Sequence, residues 1–144
     1  MRLLISILRW IHIFIFFIIT FALIFSFIAT TDGKYVYVFN YKQKNQCKYF
    51  IATRHKCGSC GLTRGWIEES QFNFNNALEL NKNTTRTYLS AIIFFISSLF
   101  YIFLFRKQNS TRQLLILLGL FLILILGWAD VVIINIQLGT FKQI

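Results

Sequence analysis

The chain has 144 residues, enough for one domain of ordinary size. Apolar residues make up 56% and charged residues only 14%, against roughly 25% in a soluble domain, and there are 17 Phe and no Pro. This excludes a disordered tail, a collagen-like repeat and a disulfide-dense scaffold, and because the apolar residues fall in three blocks it argues against a soluble enzyme.

A helix that crosses a bilayer needs about 20 mostly apolar residues, since each residue rises about 1.5 Å and the hydrocarbon core is about 30 Å thick. The first block, residues 10–31, carries no charge and predicts a span over 10–29. Its apolar core exceeds the roughly 7–15 residues of a secretory signal, and Phe27 occupies a position that cleavage wants small, so it reads as a retained anchor. His12 falls one turn inside this span and reads as an ordinary interface residue rather than a ligand.

Residues 30–86 form a polar loop. Asp32-Gly33 marks a turn, and the Tyr, Val and Phe of residues 34–41 predict a short extended segment, an aromatic strip at the interface. Lys42, Lys44, Cys47 and Lys48 follow. The informative run is HKCGSCGLTR, from His55 to Arg64. A helix beginning near Ser59 places Cys60 at its positive end, where backbone N–H groups favour a thiolate. Lys56 is nearby in sequence, and Arg64, one turn further on, leans back toward Cys60. All three effects lower a thiol pKa, as a redox or nucleophilic cysteine requires.

Other uses of these sulfurs stay open. Cys47, His55, Cys57 and Cys60 form a soft ligand set that suits zinc, although no second closely spaced Cys pair completes a standard pattern. Haem attachment would need His where Gly61 stands. No βαβ pattern of a thioredoxin-like enzyme surrounds the pair, which leaves a membrane thiol–disulfide protein, a structural Cys57–Cys60 disulfide, or two thiols in a tight turn; Cys47 is free or pairs with either. No cofactor is expected.

After the motif, Leu62, Trp66 and Ile67 recur at helical spacing, as do Phe74, Ala77 and Leu78 behind Asn73, a candidate N-cap. Glu68, Glu69 and Glu79 fall on the other faces. Two short helices are predicted, lying along or dipping into the membrane interface with the apolar face toward the lipid or the bundle.

The second span is predicted over 87–105 and the third over 114–135. The polar turn at 106–112 makes them antiparallel neighbours. Ser97, Ser98, Gly119 and Gly127 allow close helix contact, and Trp10, Tyr88 and Trp128 suit headgroup level. Asp130, about 24 Å along the axis from Leu114, approaches the loop-side interface; it is either a snorkelling acid or a partner of Arg64 or Arg86. The cations nearest the helix ends, Arg9 and those of residues 106–112, place the amino end inside and the loop outside, although the loop holds more cations in total. The net charge of +10 points to anionic headgroups, and no nucleic-acid module is visible.

Cys57, Cys60, Gly61, Thr63 and Arg64, followed by Ala77 and Asn81, resemble a family of small bacterial membrane proteins catalogued as domain of unknown function 2752, whose motif is Cys-Pro-x-Cys-Gly-x-Thr-Arg with a later Asn-Pro pair. Gly58 and Lys82 stand where that family has proline. The resemblance implies a multi-pass protein of the bacterial inner membrane and supplies no activity. The expected fold is an all-α membrane protein with three transmembrane helices and a loop bearing short interfacial helices. The partners expected are the lipid bilayer and another membrane protein. Two functions are expected from the loop. One is a non-enzymatic component whose Cys-Gly-Thr-Arg turn is structural or docks a partner. The other is a thiol–disulfide or metal-binding protein using Cys57 and Cys60, with Asp130 orienting Arg64.

Overall fold

A computed structural model of the chain describes residues 2–44, 47–53, 56–105 and 110–137. Three long helices dominate: α1 (Arg2–Ile28), α5 (Thr84–Phe100), which continues as a π-helical turn over Tyr101–Phe105, and α6 (Ser110–Gln137). All three are long and apolar enough to cross a membrane. Each begins before the expected span: α1 reaches back past Arg9, and α5 takes in three polar residues from Thr84, because backbone hydrogen bonding carries a helix beyond its apolar stretch.

Contacts between α5 and α6 run in opposite order along the two helices. Arg86 meets Asp130, Ser90 meets Gly127, and Phe94 and Tyr101 pack with Leu117 and Leu120. The pair is therefore antiparallel, as the short connection predicts; residues 106–109 of that turn lie outside the described residues. Gly127 is the close contact expected, since a Cβ there would strike the Ser90 side chain. Gly119 is not: it faces open space. Ser98 is buried, and Ser97 is half-buried.

The loop is not purely helical. Three short strands form an antiparallel sheet in the order β1 (Thr30–Thr31), β2 (Tyr35–Val38) and β3 (Tyr41–Lys44), so the expected all-α class needs this correction. The carboxylate of Asp32 sets the first turn. Its Oδ1 accepts the backbone N–H of Lys34 at 2.9 Å and of Tyr35 at 2.7 Å, and its Oδ2 accepts the Tyr37 hydroxyl at 2.7 Å. Tyr37 pairs with Lys42 and Val38 with Tyr41 across the second turn. Val36 points inward with Ala29 and Ile67, which docks the sheet onto the helix at Leu62–Ser70.

Three short helices complete the loop: α2 (Lys48–Thr53), α3 (Leu62–Ser70) and α4 (Phe74–Leu80). The sequence signals predict the last two and miss α2. Rather than lying along a surface, α3 is wedged between α1 and α5. Leu62 and Trp66 join Leu23, Tyr88 and Ala91 in one buried cluster, and Trp66 Nε1 donates to Thr87 Oγ1 at 3.0 Å. Ser70 Oγ donates to the Ser26 carbonyl at 2.6 Å. Glu68 and Glu69, expected on outward faces, are therefore buried; the Thr85 hydroxyl donates to Glu69 Oε1. Tyr88 belongs to this core, and Trp128 packs on Trp66 with ring centroids 6.0 Å apart, whereas Trp10 is exposed.

Candidate functional site

The segment before α3 is a tight turn in which Cys60 N–H donates to the Cys57 carbonyl at 3.1 Å. Its shape depends on residues that carry no sulfur. Gly61 takes φ +84°, and a Cβ there would press against the Leu80 carbonyl. Gly58 approaches α6 so closely that a Cβ would lie 2.8 Å from the Val131 carbonyl, and its N–H donates to Asn135 Oδ1 at 3.1 Å. Asn81, past the end of α4, reaches back: its Nδ2 donates to the carbonyls of Gly58 at 2.9 Å and Cys60 at 3.0 Å, and its Oδ1 accepts from Asn83 N–H at 2.8 Å. One side chain thus closes the turn onto the α4–α5 junction.

The sulfurs converge. Cys57 Sγ lies 2.9 Å from Cys60 Sγ and 3.3 Å from Cys47 Sγ, and all three lie within 4.8 Å of one another as free thiols. Cys57 and Cys60 are buried and Cys47 half-buried. Cys47 therefore joins the pair from ten residues away, held by the start of α2. His55, the fourth expected ligand, lies outside the described residues.

A cavity of about 580 Å³ opens on the cluster. Cys47, Cys60, Gly61 and Thr63 line it together with three cations, Lys34, Lys56 and Arg64. Among the described residues no carboxylate lines it. The sequence signals found Lys56 and Arg64 but not Lys34, which arrives on the strand hairpin and has no local mark. Asn135 and Phe50 were missed for the same reason.

Acidity differs sharply within the pair. Burial pushes the Cys57 thiol up, but hydrogen bonds from Cys60, Ser59 and Cys47 outweigh it and bring Cys57 down to about 7. Burial pushes Cys60 the same way, and there the neighbouring Cys57 and Cys47 sulfurs add to it, so Cys60 rises to about 12. The expected thiolate at Cys60 is thus corrected to Cys57. The helix end expected to act on Cys60 is also displaced, since α3 starts at Leu62 and Cys60 precedes its first turn. Arg64 leans back over the turn, its Nη2 3.6 Å from where a Cβ on Gly61 would stand, and its guanidinium donates to the Gly33 carbonyl, which ties the hairpin to α3.

Asp130 does not reach this cluster. It pairs with Arg86, which also donates to the Leu126 carbonyl at 2.6 Å, so it cannot be the group that orients Arg64. Both members of the ion pair are about half-exposed. His12, expected at an interface, is fully buried against Phe94 and Tyr101 and hydrogen-bonds through Nε2 to Ser98 Oγ at 3.0 Å. No protein-family model, curated protein or solved structure matches the chain.

Proposed function

We propose that this chain is a three-span membrane protein that holds a thiol–disulfide centre at one membrane face, with Cys57 as the attacking sulfur and Cys60 as the resolving one. The observation that carries this reading is the contact of three thiols, two of which, Cys47 and Cys60, line a cavity together with three cations while Cys57 lies directly behind them. Three apolar helices support the membrane placement. The gathering of Cys57, Cys60, Gly61, Thr63, Arg64 and Asn81 around one turn supports kinship with the inner-membrane family that the motif resembles.

The chemistry balances without a further reactant. Cys57 thiolate attacks a disulfide R–S–S–R, one R–S⁻ leaves and takes up the proton that Cys57 gave to solvent, and a mixed disulfide remains. Cys60, on losing its proton, attacks the Cys57 sulfur and releases the second R–SH. Two electrons pass to the substrate, and the protein is left with a Cys57–Cys60 disulfide. The reverse sequence oxidises a dithiol partner. Lys34, Lys56 and Arg64 favour a disulfide that carries acidic groups. Cys47, in contact with Cys57, offers a second disulfide by exchange.

Oxidised glutathione is a suitable anionic probe for the purified protein. Wild type is expected to form the internal Cys57–Cys60 disulfide, and Cys60→Ser with Cys47→Ser to accumulate glutathione on Cys57. Cys57→Ser is expected to capture none. If mass spectrometry finds Cys57 unmodified across redox buffers, the reading fails.

The same three sulfurs support a second reading, a site for one soft ion such as Zn(II) or Cu(I), because each offers a ligand within 4.8 Å of the others. Stoichiometric metal that is lost in Cys47→Ser and protects Cys57 from alkylation selects this reading. Metal that remains after all three cysteines are replaced rejects it.

A further inference from the structure

The thiol cavity has a neighbour. A second hollow, of about 440 Å³, lies between α1 and the start of α3. Its walls are almost wholly apolar: Ile18, Phe21, Ala22 and Phe25 of α1, with Trp66 of α3 and Trp128 of α6. The four α1 residues share one helix face and extend about 10 Å along the axis, toward the loop end of the helix. Phe21 is 72% and Ile18 52% exposed, so this groove opens on the surface that would meet lipid.

Thr63, exposed on α3, belongs to the walls of both hollows, so the two adjoin at that side chain. Their characters are opposite. Every residue lining the thiol cavity comes from the loop between α1 and α5, and three of them are cations. Lys34 and Lys56 are exposed and Arg64 is half-buried; among the described residues none of the three makes an ion pair. The start of α3 has no side-chain cap and meets the same cavity at Gly61, Thr63 and Arg64, which adds to the positive field. Cationic space at the loop, with apolar space beside it along a spanning helix, matches the order of head group and chain in an acidic lipid.

We infer that an acidic phospholipid binds here, its phosphate among Lys34, Lys56 and Arg64 and the first part of one acyl chain along Phe21 and Phe25. The adjoining groove selects a lipid over a free anion. The three unneutralised cations select an acidic lipid over a zwitterionic one. The inference rests on the membrane placement proposed above and holds whether or not the sulfurs exchange disulfides. Because Cys47 and Cys60 share the cavity wall, a bound head group also screens them from reagents in water.

The test is thermal unfolding in neutral detergent with added phosphatidylglycerol, phosphatidylcholine or glycerol phosphate, together with iodoacetamide labelling of Cys47 read by mass spectrometry. Phosphatidylglycerol is expected to raise Tm saturably and to slow labelling over the same concentration range. Phosphatidylcholine has the chains without net charge, and glycerol phosphate the charge without a chain; neither is expected to act at that concentration. An equal response to phosphatidylcholine shows a purely apolar contact, and an equal response to glycerol phosphate a free-anion site; either overturns the inference. A rise in Tm without slower labelling places the lipid elsewhere and overturns it too. Lys34→Gln combined with Lys56→Gln is expected to weaken the apparent affinity for phosphatidylglycerol about thirtyfold, the effect of losing two cations beside a charged head group. Both side chains are exposed, so the fold does not depend on them, and a wild-type response in this variant refutes the site. Protein that stays monodisperse without detergent would refute the membrane placement itself, a result distinct from detergent-requiring protein that ignores phosphatidylglycerol.

Discussion

Cys57 is buried, which alone would keep its thiol protonated, yet donors on Cys60, Ser59 and Cys47 surround it. Its rate of alkylation by iodoacetamide is expected to follow a titration with a midpoint of about 7. Cys60→Ala removes the nearest donor and is expected to move that midpoint toward the ordinary value of 9.0; an unmoved midpoint would mean that another group sets the acidity. The sign for stability follows. A thiol more acidic in the folded chain contributes stability above its unfolded pKa, and loses it as pH falls through about 7. The Cys57–Cys60 spacing made the pair legible in the sequence. Which member is acidic was not legible, because that depends on where α3 begins and on Cys47 arriving from another element.

Among the elements, the turn before α3 carries the tightest constraints. Gly61→Ala meets both a left-handed backbone and the Leu80 carbonyl, and a loss of about 1–3 kcal/mol is expected, read as a lower unfolding midpoint in detergent. Asn81→Ala strips the partners from two carbonyls and one N–H, with an expected loss of similar size, about 1–3 kcal/mol, and faster alkylation of Cys60 as the turn loosens. Periodicity announced α3 and α4 through Leu62, Trp66, Phe74 and Ala77. It misplaced α3 because Glu68 and Glu69 read as a solvated face, whereas Ser26, Thr85 and Thr87 give this stretch polar company inside the bundle. The three strands were only half visible. Residues 34–41 have the composition of a strand, but β3 contains Lys42, Gln43 and Lys44 and is specified by its pairing with β2.

For the whole molecule, three helices long and apolar enough to cross a membrane separate the thiol cavity at one end from the start of α6 at the other, and under the proposed placement these ends lie on opposite sides. Single-cysteine variants carrying Tyr41→Cys or Arg112→Cys, in a background without the native cysteines, are expected to react with an impermeant maleimide from opposite sides of sealed vesicles. Labelling from the same side would mean that α5 does not cross. The Arg86–Asp130 pair links α5 and α6 but is half-exposed, and such pairs contribute about 0–1 kcal/mol. Asp130→Asn is accordingly expected to change the unfolding midpoint little and the glutathione reaction not at all. The three long apolar helices were legible because hydrocarbon thickness sets the length to look for. The placement of His12 inside the bundle was not, since one polar residue in an apolar run gives no sign of which way it faces.

Two glycine contacts hold α5 at points six residues, or about 9 Å, apart along its axis. Gly65 of α3 leaves room only for Thr84, and Gly127 of α6 leaves room only for Ser90. A helix pinched between two backbones has no slack to rotate or slide, so α5 is a fixed strut for the thiol turn. Any opening that admits a bulky disulfide must then swing from the strand hairpin, whose hold on α3 consists of the Val36–Ile67 packing and the Arg64–Gly33 latch.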